Sequence, residues 1–227
     1  MMNEHYTIIP ENIESIKIET ISETLSTFIE YGTEMAVALF NANEAAVIYE
    51  TATEISSEII KASKVITVTR KAASIPDKFF MNKMEKYCRG LIVIPEDKRK
   101  KYAKKVGKAR LNKDSVFILG VLNKVEELSK IDILLKLFEA KIDGSLDDET
   151  YRRLTLMVDR TMFSDLQYLK DNIVDEAIPI TNDSEQGLLA SGWLYYCGQT
   201  WGTETEESQL VYNYTSAAKH FCELMNN

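Results

Sequence analysis

The chain has few of the residues that build disulfides, metal sites and tight turns. Its 227 residues include three cysteines, two histidines, nine glycines and four prolines. So little glycine and proline argues against a turn-rich β-sandwich or barrel and favours a mostly helical fold. A chain of this length can bury a full hydrophobic core without disulfides or a structural metal.

The cysteines and histidines form none of the usual motifs. Cys88, Cys197 and Cys222 contain no Cys-x-x-Cys pair, which predicts free thiols and a reducing, cytoplasmic location. A catalytic triad or zinc site would rest on His220, since His5 lies near the terminus, and we expect a structural role for His220. Phosphate-binding loops, dinucleotide fingerprints and nucleophile elbows are absent from the sequence. We therefore expect no enzyme activity, no metal and no cofactor.

Long apolar runs are missing as well. The best candidate, residues 35–49, is interrupted by Asn41, Asn43 and Glu44 and is too short to span a bilayer. The N-terminal residues lack the basic region and apolar core of a signal peptide. Both observations predict a chain with neither a transmembrane helix nor a secretory signal, and we do not expect a membrane to be its main partner.

What the sequence does have is a strong segregation of charge. Residues 1–60 carry one basic and eleven acidic side chains, residues 61–113 carry 17 basic and four acidic, and residues 114–227 carry nine basic and 20 acidic. The formal net charge of the chain is −8. Because the segments have complementary charge, we expect self-association into a homo-oligomer.

The positive charge is concentrated in residues 98–113, which we predict to form one basic helix, with the next helix beginning at Asp114 or Ser115. The candidate contact residues are Lys98, Arg99, Lys101, Lys104, Lys105, Lys108 and Arg110. Three anionic partners are open: acidic protein segments of this chain or another, a nucleic-acid backbone, and an anionic lipid surface. Acidic protein segments are the leading interpretation, because charged runs are usually solvated or internally paired.

Residues 145–162 read as a capped helix. Ser145 with Asp148 predicts a capping box, and the inward face continues to Val158 and Met162. The acidic run 147–149 lies four residues before two arginines, so it predicts ion pairs at a helix start instead of a catalytic acid pair.

The character of the sequence changes after residue 172. Residues 193–197 and 210–214 predict two strands joined by a long polar turn, with a helix on either side. This order is similar to the second half of a winged-helix module. Its acidic side chains would repel phosphates, so we expect it to contact protein and not DNA. The candidate partner contacts are Trp201, Tyr212 and Tyr214, although the aromatic residues of this module also fit a core role.

Two segments resemble a group of uncharacterised bacterial and prophage-borne helical proteins. Residues 75–90 carry the pattern D-K-x-F-x-x-K, and residues 134–144 end in I-x-G before the chain runs on to Asp159-Arg160. In that group two such helices precede a small hairpin-helix module. The resemblance covers roughly residues 70–225 and implies a mobile-element or phage-conflict context with no catalytic residue. The more apolar segment that often precedes the first helix in the group is reduced here to Val65–Val68.

These observations predict a mostly α protein built as a multi-helix bundle. The helical body comprises residues 1–172, with acidic N-terminal helices in 1–62 and central helices in 63–172, and a winged-helix-like α+β hairpin module occupies 173–227. We expect a non-enzymatic interaction protein, such as an adaptor, inhibitor or sensor subunit, whose partner is another protein or a second copy of the chain. The alternative is a nucleic-acid-associated regulator that binds the phosphate backbone through residues 98–113. A hydrolase with a carboxylate site is the third hypothesis.

Overall fold

The computed structural model describes residues 22, 25–30, 75–200 and 208–226. Contacts group the chain into two compact units, Met1–Asn123 (unit 1) and Lys124–Asn227 (unit 2). From the sequence we expected a boundary after residue 172 instead. The two divisions differ because the helices between residues 129 and 172 pack with the C-terminal helix of the chain.

The described part of unit 1 is helical. Residues 25–30 form helix, and they are followed by α1 (Ile75–Val93), α2 (Glu96–Val106) and α3 (Lys108–Lys124). The hydroxyls of Ser26 and Ser115 lie 2.9 Å apart, so the N-terminal turn packs against α3. The other residues of the predicted acidic helices in 1–62, apart from Ser22, lie outside the described residues.

The predicted basic helix is in fact two helices. Gly107 has a φ of 76°, a left-handed conformation that glycine adopts without a Cβ clash. Its N–H donates to the carbonyl oxygen of Ala103 at 2.9 Å, which ends α2. Helix α3 begins at the next residue and continues through Asp114, where a new helix was predicted to begin. The prediction of one helix over 98–113 was therefore wrong.

Unit 2 combines helices with a small sheet. Its elements are α4 (Ser129–Asp143), α5 (Asp148–Arg160), α6 (Phe163–Asn172), β1 (Ile178–Pro179), α7 (Asp183–Ala190), β2 (Leu194–Thr200), β3 (Gln209–Tyr214) and α8 (Ser216–Asn226). Helix α8 packs against α4, α5, α6 and β3, and α7 packs against α6 and β2. The largest buried side chains of this core are Phe138, Tyr151, Trp193 and Phe221. The sheet and the helices of unit 2 therefore share one core.

Helix α5 starts differently from the prediction. The side chain of Asp147 accepts a hydrogen bond from the Thr150 N–H at 2.7 Å, so Asp147, and not Ser145, caps the helix. Arg152 pairs with Asp148 at 3.1 Å, as the four-residue spacing predicted.

The far end of α5 corrects a second expectation. Val158 is buried as predicted, but the side chain of Met162 is 65% exposed. Because α5 ends at Arg160, Met162 lies beyond the last turn and no longer follows the helical face.

The C-terminal order of helix, strand, strand and helix is confirmed, and β1 adds a short third strand; the predicted turn at 201–207 lies outside the described residues. The sheet is antiparallel with the order β1-β3-β2. A DNA-reading winged helix carries a helix-turn-helix pair, whereas the segment between β1 and β2 holds α7 alone. None of the described helices is long and apolar enough to cross a lipid bilayer.

Candidate interaction surfaces

Arg99 belongs to the core of unit 1 and not to a basic surface. Its side chain is fully buried. The guanidinium donates from Nε to the Ile94 carbonyl at 2.9 Å and from Nη1 to the carbonyls of Ile29 and Phe28 at 3.1 and 3.3 Å. These bonds tie α2 to the N-terminal helical turn. The sequence-based choice of Arg99 as a contact residue was therefore wrong.

Two further cations of the basic run are paired inside unit 1. Arg110 lies 3.6 Å from the carboxylate of Asp114, which is fully buried and also accepts a hydrogen bond from the Tyr102 hydroxyl at 2.6 Å. Lys100 pairs with Glu96 one turn earlier on α2. These two charges are therefore compensated by neighbours one helical turn away.

Four other candidate lysines of the run are different. Lys101, Lys104, Lys105 and Lys108 are exposed, and none of them has a carboxylate partner in the described ranges. We call these four the lysine surface. The first three lie on one face of α2, because positions three and four apart are neighbours on a helix, and Lys108 opens α3. Lys98 is half-buried and contacts other groups of the protein.

The base of the C-terminal sheet is core. Trp193 is fully buried, donates from Nε1 to the Thr161 hydroxyl at 2.7 Å and places its ring 5.0 Å from that of Phe221. Tyr214 is 3% exposed, so it is not the contact residue that the sequence suggested. Burial raises the pKa of Tyr214 to about 12, and its hydroxyl has no hydrogen-bond partner in the structure as described.

The strand register shows which residues share the face of Tyr214. Leu194 lies opposite Tyr214, and Tyr196 lies opposite Tyr212, so these four side chains point to the same side of the sheet. A bulge between Tyr196 and Gly198 then shifts the pairing by one residue. Beyond the bulge, Leu210 continues the same face on β3.

Outside the core, this face carries apolar side chains into solvent. Tyr196 is 57% exposed and Leu210 is 51% exposed, while Tyr212 is half-buried with its ring 6.0 Å from that of Tyr196. Ile178 of β1 pairs with Tyr212 and extends the row across all three strands. We call Ile178, Tyr196, Leu210 and Tyr212 the ribbon surface. Trp201, the third predicted contact, lies outside the described residues.

A groove in unit 2 is the third candidate binding site, after the lysine surface and the ribbon surface. It lies between α4, α6 and α8 and has a volume of about 460 Å³. Ile133, Leu166, Phe221 and Met225 supply its apolar lining, and Asp132, Asp171, Lys136 and Lys170 supply its charges. With two charges of each sign, the groove favours neither an anionic nor a cationic ligand.

One acidic residue of unit 2, Glu185, stabilises the start of α7. The Glu185 carboxylate accepts from the Tyr168 hydroxyl at 2.7 Å and the Thr181 N–H at 2.6 Å, and it forms a reciprocal capping box with Asn182. Burial works to raise the pKa of Glu185, but these hydrogen bonds outweigh burial and lower the pKa below its usual value. At neutral pH Glu185 is therefore the ionised partner of Asn182 in the capping box of α7.

Metal and disulfide chemistry find no support in the described ranges. Among these residues, no group of three or more histidine, cysteine or acidic side chains could hold a metal ion. Cys88, Cys197 and Cys222 are free, as predicted.

No protein-family model, curated protein or solved structure matches the chain. Of the aromatic contacts chosen from the sequence, the ribbon surface contains Tyr212. The sequence alone does not show that Tyr196 shares a face with Tyr212 and Leu210, because this depends on the register between β2 and β3.

Proposed function

We propose that the chain is a non-enzymatic interaction protein that docks a protein partner on the ribbon surface of unit 2. The observation that carries this proposal is the exposure of Tyr196 and Leu210 on the sheet face that is buried at its base. Tyrosine is enriched at the centres of protein interfaces, because its ring supplies contact area and its hydroxyl a hydrogen bond.

The bulge favours docking on the face and not pairing along the edge. Strand β2 is an edge strand of the sheet, and its regular ladder is broken between Tyr196 and Gly198. Bulges twist an edge strand and hinder the addition of another strand. A partner would therefore cover the side chains of the face.

The acidic charge of this region predicts that the partner carries basic residues around its contact surface. Residues 114–227 carry 20 acidic and nine basic side chains, and the hairpin sequence includes Glu204, Glu206 and Glu207. A partner with an apolar centre and basic residues around it would associate faster than a neutral one, because opposite charges steer the encounter.

The test compares three full-length proteins as baits in extracts of the source cells. The ribbon variant combines Tyr196→Ser with Leu210→Ser, and the control combines Thr200→Ser with Gln209→Ser on the opposite face. Circular dichroism checks that all three fold. We expect wild type and control to capture the same protein and the ribbon variant to capture at least about tenfold less, the effect of losing roughly 1.4 kcal/mol. Equal capture by the ribbon variant would refute the proposal.

A further inference from the structure

We propose that the lysine surface of unit 1 binds the phosphate backbone of nucleic acid without reading its sequence. This inference does not rest on the proposed function of unit 2. It starts from Lys101, Lys104, Lys105 and Lys108, which are exposed, lie close together in α2 and at the start of α3, and have no carboxylate partner in the described part of the chain. Arg99, Lys100 and Arg110, their neighbours in sequence, are buried or paired.

The selection of residue types favours phosphate over a protein partner. Protein interfaces are rich in arginine and aromatic residues and poor in lysine. Here Arg99 is buried and Arg110 pairs with Asp114, the aromatic residue of α2, Tyr102, is buried, and lysines remain exposed. Lysines are suited to point contacts with phosphate oxygens, which carry no base information.

A lipid surface fits less well for a related reason. An interfacial helix inserts apolar side chains below the headgroups. Of the apolar residues of α2, Tyr102 and Ala103 are buried in unit 1 and Val106 is half-buried, so this helix has little apolar surface to insert.

The spacing of the lysines suits a polyanion. Lys101 and Lys105 are separated by about 6 Å along the helix axis, and one nucleic-acid strand carries a charge about every 3.4 Å along its axis. Each lysine can therefore face a different phosphate. Like charges one turn apart also repel, and an anionic strand would relieve that repulsion.

The acidic character of the whole chain does not prevent such a contact. At about 0.1 M salt, charges further away than roughly 10 Å are largely screened. The local potential at the lysine surface is therefore set by the nearby lysines more than by the net charge of −8.

The test measures the binding of the full chain to labelled single- and double-stranded DNA and RNA by fluorescence anisotropy. Four phosphate contacts predict that log K falls against log salt with a slope of about −3.6 for duplex DNA, or roughly 150-fold between 50 and 200 mM salt. We expect similar affinities for oligonucleotides of different sequence.

Two charge-matched variants locate the site. Replacement of Lys101, Lys104, Lys105 and Lys108 by Gln should remove measurable binding at 50 mM salt. The control replaces Lys124, Arg153, Arg160 and Lys170 by Gln. These four residues are exposed outside the lysine surface, so the affinity of the control for nucleic acid should stay within about threefold of wild type. Circular dichroism confirms that both variants fold.

Parallel arms with poly-glutamate and phosphatidylserine vesicles distinguish the other anions. The proposal is overturned by absence of nucleic-acid binding at 50 mM salt, by equal losses in the two variants, or by binding to poly-glutamate or vesicles in preference to nucleic acid. Sequence-independent, salt-sensitive binding that only the lysine-surface variant loses would establish it.

Discussion

The base and the outer part of one sheet face in unit 2 have opposite environments. Leu194 and Tyr214 at the base are 3% exposed, whereas Tyr196, two residues along β2, is 57% exposed and Leu210 of β3 is 51% exposed. The four residues have similar apolar character and share one face. Burial at the base explains the inner pair, but the fold gains little from the outer pair. We infer from this difference that the outer apolar residues serve binding.

The largest expected effect is a difference in stability between substitutions at the base and in the outer part of the sheet. Trp193→Ala, next to the base of β2, should cost about 3–5 kcal/mol of unit 2 stability, because a buried ring and its hydrogen bond are lost. Tyr196→Ala should change stability by less than about 0.5 kcal/mol, since its side chain is largely exposed. Amide hydrogen exchange of β3 and α8 measures both. Comparable losses of stability at positions 193 and 196 would contradict the distinction between the base and the outer part of the sheet face.

A second prediction concerns the support of the base by α7. A Cβ at Gly187 would lie 2.2 Å from the Oδ2 atom of Asp165, which is buried on α6. Gly187→Ala should therefore cost about 1–3 kcal/mol, as overpacking does. At Gly120 of α3 no atom lies within 4 Å of such a Cβ, so Gly120→Ala should stabilise by up to about 1 kcal/mol. Urea denaturation compares the two, and an unchanged midpoint for Gly187→Ala would show that the Asp165 carboxylate moves aside without cost.

A third prediction uses pH to test the cap at the start of α7. The folded pKa of Glu185 is lowered from 4.5, so its ionised form stabilises unit 2 above pH 4.5, and this contribution is lost as the pH falls through the folded pKa. Glu185→Gln should cost about 1 kcal/mol at neutral pH. The difference from wild type should shrink at about pH 3. Urea denaturation at both pH values measures it, and a difference that is constant with pH would exclude the ionised cap.

The smallest expected effect lies within the base. The Tyr214 hydroxyl is buried and has no hydrogen-bond partner among the described residues. Tyr214→Phe should therefore leave stability within about 0.5 kcal/mol or raise it, because an unsatisfied polar group is removed. Thermal unfolding checks this, and a loss above about 1 kcal/mol would show that the hydroxyl has a partner.

Helical periodicity and turn signals were sufficient to predict the fold class and the C-terminal element order. These features depend on local sequence, which is why the strands of the hairpin and the helix after Thr215 were found: the Thr215 hydroxyl accepts from the Ala218 N–H at 3.2 Å. The two-residue strand β1 was missed, because its pairing with β3 is a tertiary contact with no local pattern.

The candidate surfaces were less predictable, because burial and register are tertiary properties. Arg99 and Lys101 are indistinguishable in a basic run, yet one is buried and the other exposed. Tyr212 and Tyr214 alternate regularly on β3, but only Tyr212 extends beyond the core. Gly107 could have indicated the break in the basic run, since glycine is a frequent helix terminator.

The most direct test of the central claim places a photoreactive benzophenone amino acid at single positions of the β2–β3 hairpin in the full chain. Positions 196 and 210 lie on the ribbon surface, and positions 200 and 209 are exposed on the opposite face. After irradiation in the source cells, we predict a crosslink to one partner polypeptide from 196 and 210, and none from 200 and 209. Crosslinks that are equal on both faces, or that form from 200 and 209 alone, would contradict the account.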